Sequence, residues 1–309
     1  MKKHTELLFK ITHYNNNPYS LMHTAPHSSI ELNYIDQIID LALEEDLGLG
    51  DISTSVLNVP QATAQAELTA KEAGFISGIF VAQLVASKVD PEVQFEALVT
   101  DGSPISKGDL LIRLKGNATS LLGMERTMLN FLQRMSGIAT TTAQYVQAVG
   151  PHKTVIVDTR KTAPGMRYID KMAVRHGGGT NHRIDLSSMV MLKDNHVRLI
   201  QESGKSFEQI IEQARRSLPL STRIEVETTN LKEVERALKA GVDVIMLDNM
   251  TLEEMKQAVS LINGECMVEA SGNMTLDRIP QVAAIGVDYI SVGALTHSIK
   301  AFDISMNFI

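Results

Sequence analysis

The stretch RIEVETTNLKEVERALKAGVDVIMLDN, residues 223–249, decides the fold of this chain. Its two short apolar runs, RIEVET and DVIMLDN, flank LKEVERALKAG, a segment long enough for a helix. A strand, a helix and a second strand in this order make a parallel βα unit. The same alternation recurs along residues 151–309, with further apolar runs at TVIVDT, SMVMLKD, CMVEAS and YISVGA.

Each of these six runs ends in polar residues, and this predicts where a functional site lies. In a β/α barrel, the groups at the carboxyl ends of the strands converge on one mouth. An open doubly wound sheet also collects ligands at its strand ends, so it is the alternative. The pattern favours the barrel. Because only six strands are visible, we expect the barrel to be incomplete.

The residues before Gly150 follow a different pattern. Apolar residues at helical spacing predict a helix over 31–47, and three alternating runs (AELTAKEAGFISGIF, VQFEALVT and DLLIRLKG) predict strands. Residues 117–149 predict two helices that meet near Gly137. The first residues are rich in Asn, His, Ser and Thr, which is typical of a flexible arm. The predicted divisions are the arm 1–30, an α+β domain 31–150 and a barrel domain 151–309.

Composition excludes several classes of protein. With 309 residues, of which 44% are hydrophobic, the chain can bury an ordinary core. A single cysteine, Cys266, excludes an internal disulfide framework and predicts a reducing compartment, by default the cytosol. The apolar stretch in MKKHTELLFK is too short for a signal peptide, and no run reaches membrane-spanning length. A net charge of -7 argues against nucleic-acid binding.

The positive charge is concentrated in one segment, residues 158–198. This segment contains eight Lys or Arg residues against four Asp, a net charge of +4, which leaves -11 for the rest of the chain. A local positive field on an acidic protein indicates a pocket for a small anionic ligand. A solvated charged surface is the alternative, but the glycines and histidines inside the segment argue against it.

Three consecutive glycines occur within this segment, in RHGGGTNHR (175–183). They lack the G-x-G-x-x-G spacing of a dinucleotide-binding loop and do not directly follow a strand. We expect them to supply unusual backbone angles and close approach, with a plain turn as the alternative. Upstream, Arg160 and Lys161 follow a strand directly and predict an anion site, because guanidinium and ammonium groups bind carboxylates and phosphates.

The strand ends also predict acidic and phosphate-binding groups. Lys193 closes an apolar strand, and it is either a Schiff-base nucleophile or, as its neighbours favour, an electrostatic clamp on a polyanion. Glu225 and Glu227 share one strand face and, with Asp248, predict a magnesium-bound, phosphate-bearing sugar, with structural salt bridges as the alternative. Glycine and hydroxyl groups past the last two strands, in 269–273 and 291–298, predict phosphate binding.

The chain resembles the quinolinate phosphoribosyltransferases over about residues 33–309. The ordered motifs are DTRKTAPGMRYIDKMAVRHGGGTNHR, KDNH, EVE, LDN, ASGN and SVGALTHS. The resemblance implies an N-terminal α/β sandwich, a partial barrel of the type II phosphoribosyltransferase kind, and a homodimer with shared sites. It also implies transfer of phosphoribosyl from phosphoribosyl pyrophosphate to quinolinate with Mg²⁺. The products would be nicotinate mononucleotide, pyrophosphate and carbon dioxide, for NAD synthesis.

The resemblance assigns roles to particular residues. Arg126 would reach into the neighbouring subunit, Lys161, Lys193, Glu227 and Asp248 would be catalytic, and the last two would serve Mg²⁺. Glu227 is preferred to Glu225 because it ends its strand. The implied substrate-binding positions are Arg126, Thr159, Arg160, Lys161, His182, Arg183, Lys193, Glu227, Asp248, Ser271, Gly272, Asn273, Val292, Gly293 and Ala294.

Three other functions stay open on the sequence. One is that of the ModD-type homologues, which differ where this chain reads KDNH. Another is nicotinate phosphoribosyltransferase, which does not decarboxylate and would not need a grip on two carboxylates. The third is non-enzymatic nucleotide binding, which would not require lysines and acids together.

Overall fold

The computed structural model describes residues 28–56, 62–202 and 204–309. The predicted arm therefore lies outside the described residues except for its last three. In these three residues the structure differs from the predicted flexible arm, because helix α1 (Ser29–Leu47) begins two residues before Glu31, the predicted start of the helix. Ser28 caps this helix, and its hydroxyl accepts a hydrogen bond from the Glu31 amide at 3.1 Å.

The chain divides into two compact units. One comprises the residues up to Ala139 together with Lys300–Ile309, and the other comprises Thr140–Ile299. The division falls inside a continuous helix, before the boundary predicted at residue 150. After α1 the first unit contains α2 (Ile52–Ser55), β1 (Thr63–Ala70), β2 (Gly74–Phe75), α3 (Ile79–Val89), β3 (Gln94–Ala97), β4 (Pro104–Ile105), β5 (Leu110–Asn117) and the start of α4 (Ala118–Ala148).

Two sequence predictions for this region were wrong. The segment predicted as a strand up to Phe80 turns into helix α3, because the Asp101 carboxylate accepts hydrogen bonds from the amides of Gly78, Ile79 and Phe80 at 2.6, 2.9 and 3.2 Å. These bonds satisfy the free amides of a helix start from a distant part of the chain.

The two helices predicted over 117–149 are the single helix α4. Gly137 does not end it. Instead, the missing side chain lets the Lys300 carbonyl approach, since an added Cβ would lie 2.1 Å from that oxygen.

The second unit alternates strands and helices. Its elements are β6 (Val155–Val157), α5 (Arg167–His176), β7 (Val190–Leu192), α6 (Asp194–Glu202), α7 (Phe207–Ser217), β8 (Ile224–Thr228), α8 (Leu231–Lys239), β9 (Val244–Asp248), α9 (Leu252–Ile262), β10 (Met267–Ser271), a 3₁₀ turn (Leu276–Arg278), α10 (Ile279–Ala283), β11 (Tyr289–Ser291) and α11 (Ala294–His297). All six predicted strands are present. The last strand of the chain, β12 (Ile304–Phe308), belongs to the first unit.

The six strands of the second unit form one parallel sheet in the order β6-β11-β10-β9-β8-β7. Strands β7 to β11 lie side by side in chain order, and β6 lies beside β11. This is the strand order of a barrel. A doubly wound sheet would instead reverse its order near the middle. The sheet is not closed, because β6 and β7 are its two edges. The prediction of an incomplete barrel is therefore confirmed.

Local signals explain the regular part of this unit. Asn230 caps α8 by accepting a hydrogen bond from the Glu233 amide, and Thr251 and Glu254 form a reciprocal capping box at α9. Val234 of α8 is buried, as apolar positions at helical spacing require.

The first unit is built on a four-stranded sheet in the order β12-β1-β5-β3, with β1 antiparallel to both neighbours. A helix able to cross a bilayer would need greater length and apolar character than any helix in the described part of the chain possesses.

Candidate active site

A cavity of about 510 Å³ lies at the carboxyl ends of the parallel strands of the second unit. The predicted site residues among those that line it are Thr159, Arg160, Lys161, His182, Arg183, Lys193, Glu227, Asp248, Ser271, Gly272 and Asn273. The fold therefore collects, in one concave surface, residues that are more than 110 positions apart in the chain. Such a position, at the mouth of a barrel-like sheet, is where β/α enzymes build their sites.

Four predicted residues do not line this cavity. Arg126 belongs to the first unit, where its side chain is exposed on α4. Val292 is buried, and Gly293 and Ala294 begin α11. Gly293 nevertheless packs against Lys161, because an added Cβ would lie 3.1 Å from the Lys161 Cδ atom.

Arg160 and Arg183 supply two neighbouring guanidinium groups. Burial lowers the pKa of Arg183, and the positive charge of Arg160 lowers it further. The Nε atom of Arg160 is buried and, within the described ranges, has no hydrogen-bond partner. Two like charges held together with an unused buried donor form a site prepared for an anion.

Lys193 and Glu227 are neighbours in the wall of the cavity, where the Lys193 ammonium donates a hydrogen bond to the Glu227 carboxylate. The ion pair with Glu227 favours the electrostatic clamp over the Schiff base. Of the two acids on β8, Glu227 lines the cavity, whereas Glu225 is fully buried beneath it.

Two loops with left-handed backbone angles form the side of the cavity that follows β9 and β10. Asn249, Gly272 and Asn273 have φ values of 56°, 88° and 49°. Gly272 approaches Asn249 so closely that an added Cβ would lie 2.2 Å from its Oδ1. The Arg278 guanidinium joins the two loops by donating to the carbonyls of Gly272 and Met250 at 3.1 and 2.7 Å. These two hydrogen bonds therefore fix the conformation of both loops.

The triple glycine ends helix α5 and lets the chain turn back beside β6. Gly178 has a φ of 83°, and an added Cβ at Gly179 would lie 2.8 Å from both Thr142 and Val174. Thr180 then pairs with Val157 of β6 in a parallel bridge. The glycines therefore provide the positive φ and the close approach that the sequence predicts.

A buried ion pair holds the segment after the glycines. The Lys171 ammonium donates to the Asp158 carboxylate and to the His182 carbonyl, the latter at 3.1 Å. The same carboxylate accepts from the Asn181 amide group at 2.7 Å and from the His182 backbone amide at 2.9 Å. Lys171 and Asp158 are 1% and 0% exposed. This network therefore positions the backbone of His182 and Arg183.

The His182 imidazole lies against two buried acids. Its Nε2 atom is 3.2 Å from a Glu225 oxygen and 3.1 Å from a Glu269 oxygen. Burial favours the neutral ring, but the adjacent carboxylates of Glu225 and Glu269 outweigh it and raise the pKa of His182 to about 10. Burial also raises the pKa of Glu225. We name these three side chains the acid–histidine cluster.

The acid–histidine cluster has the spacing of a metal site, since its ligand atoms lie within 4.8 Å of one another. However, Nδ1 of His182 accepts a hydrogen bond from the Arg183 amide at 2.7 Å, so a neutral ring carries its proton on Nε2. An imidazolium would carry protons on both nitrogens and would lose the Arg183 bond. A metal on Nε2 would leave the ring proton on Nδ1 and would also remove the Arg183 bond, so this arrangement does not favour a metal ligand.

Sequence reasoning did not assign Asp158, Lys171 or Glu269 to the site. Asp158 and Glu269 line the cavity, and Glu269 stands in the otherwise apolar run CMVEAS. A lone carboxylate in a buried strand is a signal, because it needs a partner. Lys171 gave no such signal. Met191 and Met246, which add apolar wall, gave none either.

Comparisons with known proteins agree along the chain. Residues 51–136 match the family described as quinolinate phosphoribosyl transferase, N-terminal domain, and residues 138–307 match its C-terminal domain. A relative from Nicotiana tabacum, named quinolinate phosphoribosyltransferase [decarboxylating] 2b, mitochondrial, is 43% identical over 291 residues, which is 88% of this chain and 81% of the relative.

A relative from Synechocystis sp., named probable nicotinate-nucleotide pyrophosphorylase [carboxylating], is 42% identical over 89% of this chain and 92% of its own length. Among solved structures, NadC from Streptococcus pyogenes is 43% identical, with a TM-score of 0.84 over 89% of this chain and 97% of that one. The chain therefore belongs to the quinolinate phosphoribosyltransferase family.

Proposed function

We propose that this protein transfers phosphoribosyl from phosphoribosyl pyrophosphate to quinolinate, releasing pyrophosphate and carbon dioxide and forming nicotinate mononucleotide for NAD synthesis. The observation that supports this most is the pair of neighbouring guanidinium groups of Arg160 and Arg183, with the unused buried donor of Arg160. Quinolinate carries carboxylates on adjacent ring carbons, so two adjacent guanidinium groups match it and would be excessive for one carboxylate.

The remaining cavity residues suit the phosphoribosyl donor. As pyrophosphate leaves the anomeric carbon, positive charge grows on the ribose, and a carboxylate such as Glu227 or Asp248 stabilises it. The ammonium groups of Lys161 and Lys193 balance the departing pyrophosphate. The loop at Gly272, held rigid by Arg278, offers backbone amides to a phosphate.

The donor set also fits Mg²⁺. Glu227 and Asp248 are carboxylates on adjacent strands, both partly accessible from the cavity. Mg²⁺ prefers one or two carboxylates, with its other ligands taken from substrate phosphates and water. Bound there, it would neutralise charge on the pyrophosphate oxygens. Glu227, which pairs with Lys193, would then divide its two oxygens between the lysine and the metal.

We further propose a homodimer in which Arg126 completes the partner's site and holds one substrate carboxylate. Arg126 is exposed on α4 in the first unit, so a second copy can reach it. Arg126→Ala and Arg183→Ala should each be nearly inactive, and mixing them should restore part of the turnover through hybrid dimers with one intact site. Subunit exchange without recovery would contradict the shared site.

A cytosolic location is the last part of the proposal. Cys266 is a free thiol, as a reducing compartment allows. Cell fractionation with an antibody to the protein would test it.

One assay separates the candidate functions. The protein is mixed with Mg²⁺, phosphoribosyl pyrophosphate and either quinolinate or nicotinate, and pyrophosphate, carbon dioxide and nucleotide are measured. We expect all three products from quinolinate. Product from nicotinate alone would indicate a nicotinate phosphoribosyltransferase, and product from neither acid would favour a ModD-type or non-enzymatic function.

A further inference from the structure

A second cavity, of about 230 Å³, lies behind the acid–histidine cluster. Val244 and Tyr289, the first residues of β9 and β11, line it, so it lies toward the amino ends of the strands. His182 and Glu269 line both this rear cavity and the substrate cavity. The cluster is therefore the layer that separates the two spaces.

The cluster is short of hydrogen-bond partners. Both oxygens of Glu225 and Oε1 of Glu269 are buried, and no group in the part of the chain that the structure describes is placed to donate to them with hydrogen-bond geometry. Two buried carboxylates within 4.8 Å of each other repel unless positive charge or protons compensate them.

The proposed reaction needs one proton at a defined atom. When carbon dioxide leaves, the C–C bond breaks and its electron pair stays on the ring carbon beside the cationic nitrogen. That carbon must then bind a proton to give nicotinate mononucleotide. Arg183, which follows His182 in the chain, would hold a substrate carboxylate, so the ring would lie above the cluster.

We propose that the His182–Glu269 pair supplies this proton and regains one from solvent through the rear cavity. The inference rests on the proposed function. In the step, a proton leaves the pair for the ring carbon, and the pair is left with one more negative charge until solvent returns the proton. Glu225, 3.2 Å from Nε2 of His182, holds the imidazole in position. The rear cavity is wide enough for several water molecules.

Other proton donors near the cavity are engaged. The Lys193 ammonium is paired with Glu227, and the Lys171 ammonium is buried against Asp158. Arginine does not give up a proton in proteins. Lys161, whose side chain is exposed, is the alternative donor that the experiment must separate.

The test uses the full-length enzyme and follows two products of one turnover. Quinolinate labelled in the carboxylate that is lost reports carbon dioxide, and pyrophosphate reports the transfer. In Glu269→Gln we expect pyrophosphate to form at close to the wild-type rate. Until it is protonated, the ring carbanion can recombine with the carbon dioxide held beside it, so release of carbon dioxide should lag by at least about a hundredfold, the low end of what a positioned general acid contributes. Glu253→Gln is the matched control, because the Glu253 side chain is exposed on α9, and this variant should keep both rates.

A second readout identifies the donor. In an equal mixture of H₂O and D₂O, the hydrogen-to-deuterium ratio at the new ring C–H bond depends on the group that gives the proton. We expect this ratio to change in Glu269→Gln and in His182→Gln, and to stay unchanged in Lys161→Arg. His182→Gln replaces Glu269→Gln as the test variant if Glu269→Gln no longer binds phosphoribosyl pyrophosphate.

The two proposals fail differently. A wild-type enzyme that forms no pyrophosphate from quinolinate would overturn the proposed function. Normal wild-type turnover, with an unchanged isotope ratio and carbon dioxide keeping pace with pyrophosphate in the cluster variants, would overturn this inference alone. A changed ratio in Lys161→Arg would assign the proton to Lys161 instead.

Discussion

Replacing Lys171 with methionine should strongly destabilise the second unit. The change keeps the length and apolar stem of the side chain but removes the ammonium that faces Asp158. Because both residues are at most 1% exposed, the carboxylate would remain buried without its cation. Breaking a buried ion pair from one side costs about 3–5 kcal/mol.

The surrounding contacts set the magnitude within that range. Asp158 would still accept hydrogen bonds from Asn181 and from the His182 amide at 2.7 and 2.9 Å, which partly compensate the charge. The His182 carbonyl, however, would lose the bond that Lys171 donates at 3.1 Å. These two effects oppose each other, so we expect a loss of about 3–4 kcal/mol in the free energy of unfolding.

The double variant Lys171→Met, Asp158→Asn is the matched control. With both charges removed, no buried charge is left unpaired. The new amide nitrogen would face the Asn181 amide group, a mismatch of about 1–2 kcal/mol. The double variant should therefore be more stable than Lys171→Met alone.

The pH dependence has a defined sign. Burial raises the pKa of Asp158 above its ordinary value, and removing Lys171 raises it further. A carboxyl whose pKa is higher in the folded than in the unfolded state destabilises the fold as the pH rises through that folded value. The deficit of Lys171→Met should therefore shrink as the pH falls from 7 through the raised pKa of Asp158 toward the ordinary carboxyl value of 3.8.

Urea unfolding of the full-length chain, followed by far-ultraviolet circular dichroism at several pH values, measures these quantities. The reasoning is refuted if Lys171→Met unfolds within about 1 kcal/mol of the wild type at pH 7 and shows no added pH dependence. It is also refuted if the double variant is less stable than the single one.

Three further predictions concern single positions. Gly272→Ala should lower turnover at least tenfold and cost about 1–3 kcal/mol, because a left-handed alanine would strike Asn249; a wild-type melting temperature and rate would contradict this. Gly137→Ala should lower the melting temperature, because its Cβ would lie 2.1 Å from the Lys300 carbonyl oxygen, and unchanged calorimetry would refute the contact. Borohydride with quinolinate should trap no adduct on Lys193, whose ammonium is paired, and a mass increase on its peptide would count against the clamp.

The regular part of the fold could be predicted because its signals are local. Each βα unit carries its own strand, turn and helix pattern, as in residues 223–249, and parallel strand ends must gather at one edge. Helix α3 could not be predicted, because its start depends on Asp101, which lies more than 20 residues away in the chain. The reason for a glycine at 137 could not be predicted either, because it is the close approach of the Lys300 carbonyl, more than 160 residues later in the sequence.

The site divides in the same way. Lys193 was predictable because it directly follows β7, and Arg160 because it lies three residues after the end of β6. The contact of His182 with Glu225 and Glu269 was not, because it brings together β8, β10 and the segment after α5 in a geometry set by the open sheet. A pattern along one strand contains no information on which side chain lies opposite it in a barrel interior.

Strand β12 imposes an order on synthesis. It is the edge partner of β1, with Ile304 opposite Ala70 and Phe308 opposite Ala66, so the first unit uses both the early and the last residues of the chain. On the ribosome, β1 emerges long before its partner, and one of its edges stays unpaired until residues 304–308 have been made. All residues of the second unit lie between β1 and β12 in the chain, so the second unit can fold before β12 has been made. An interrupted message would therefore yield a chain with a folded β/α unit and an exposed strand edge, the form that quality control removes.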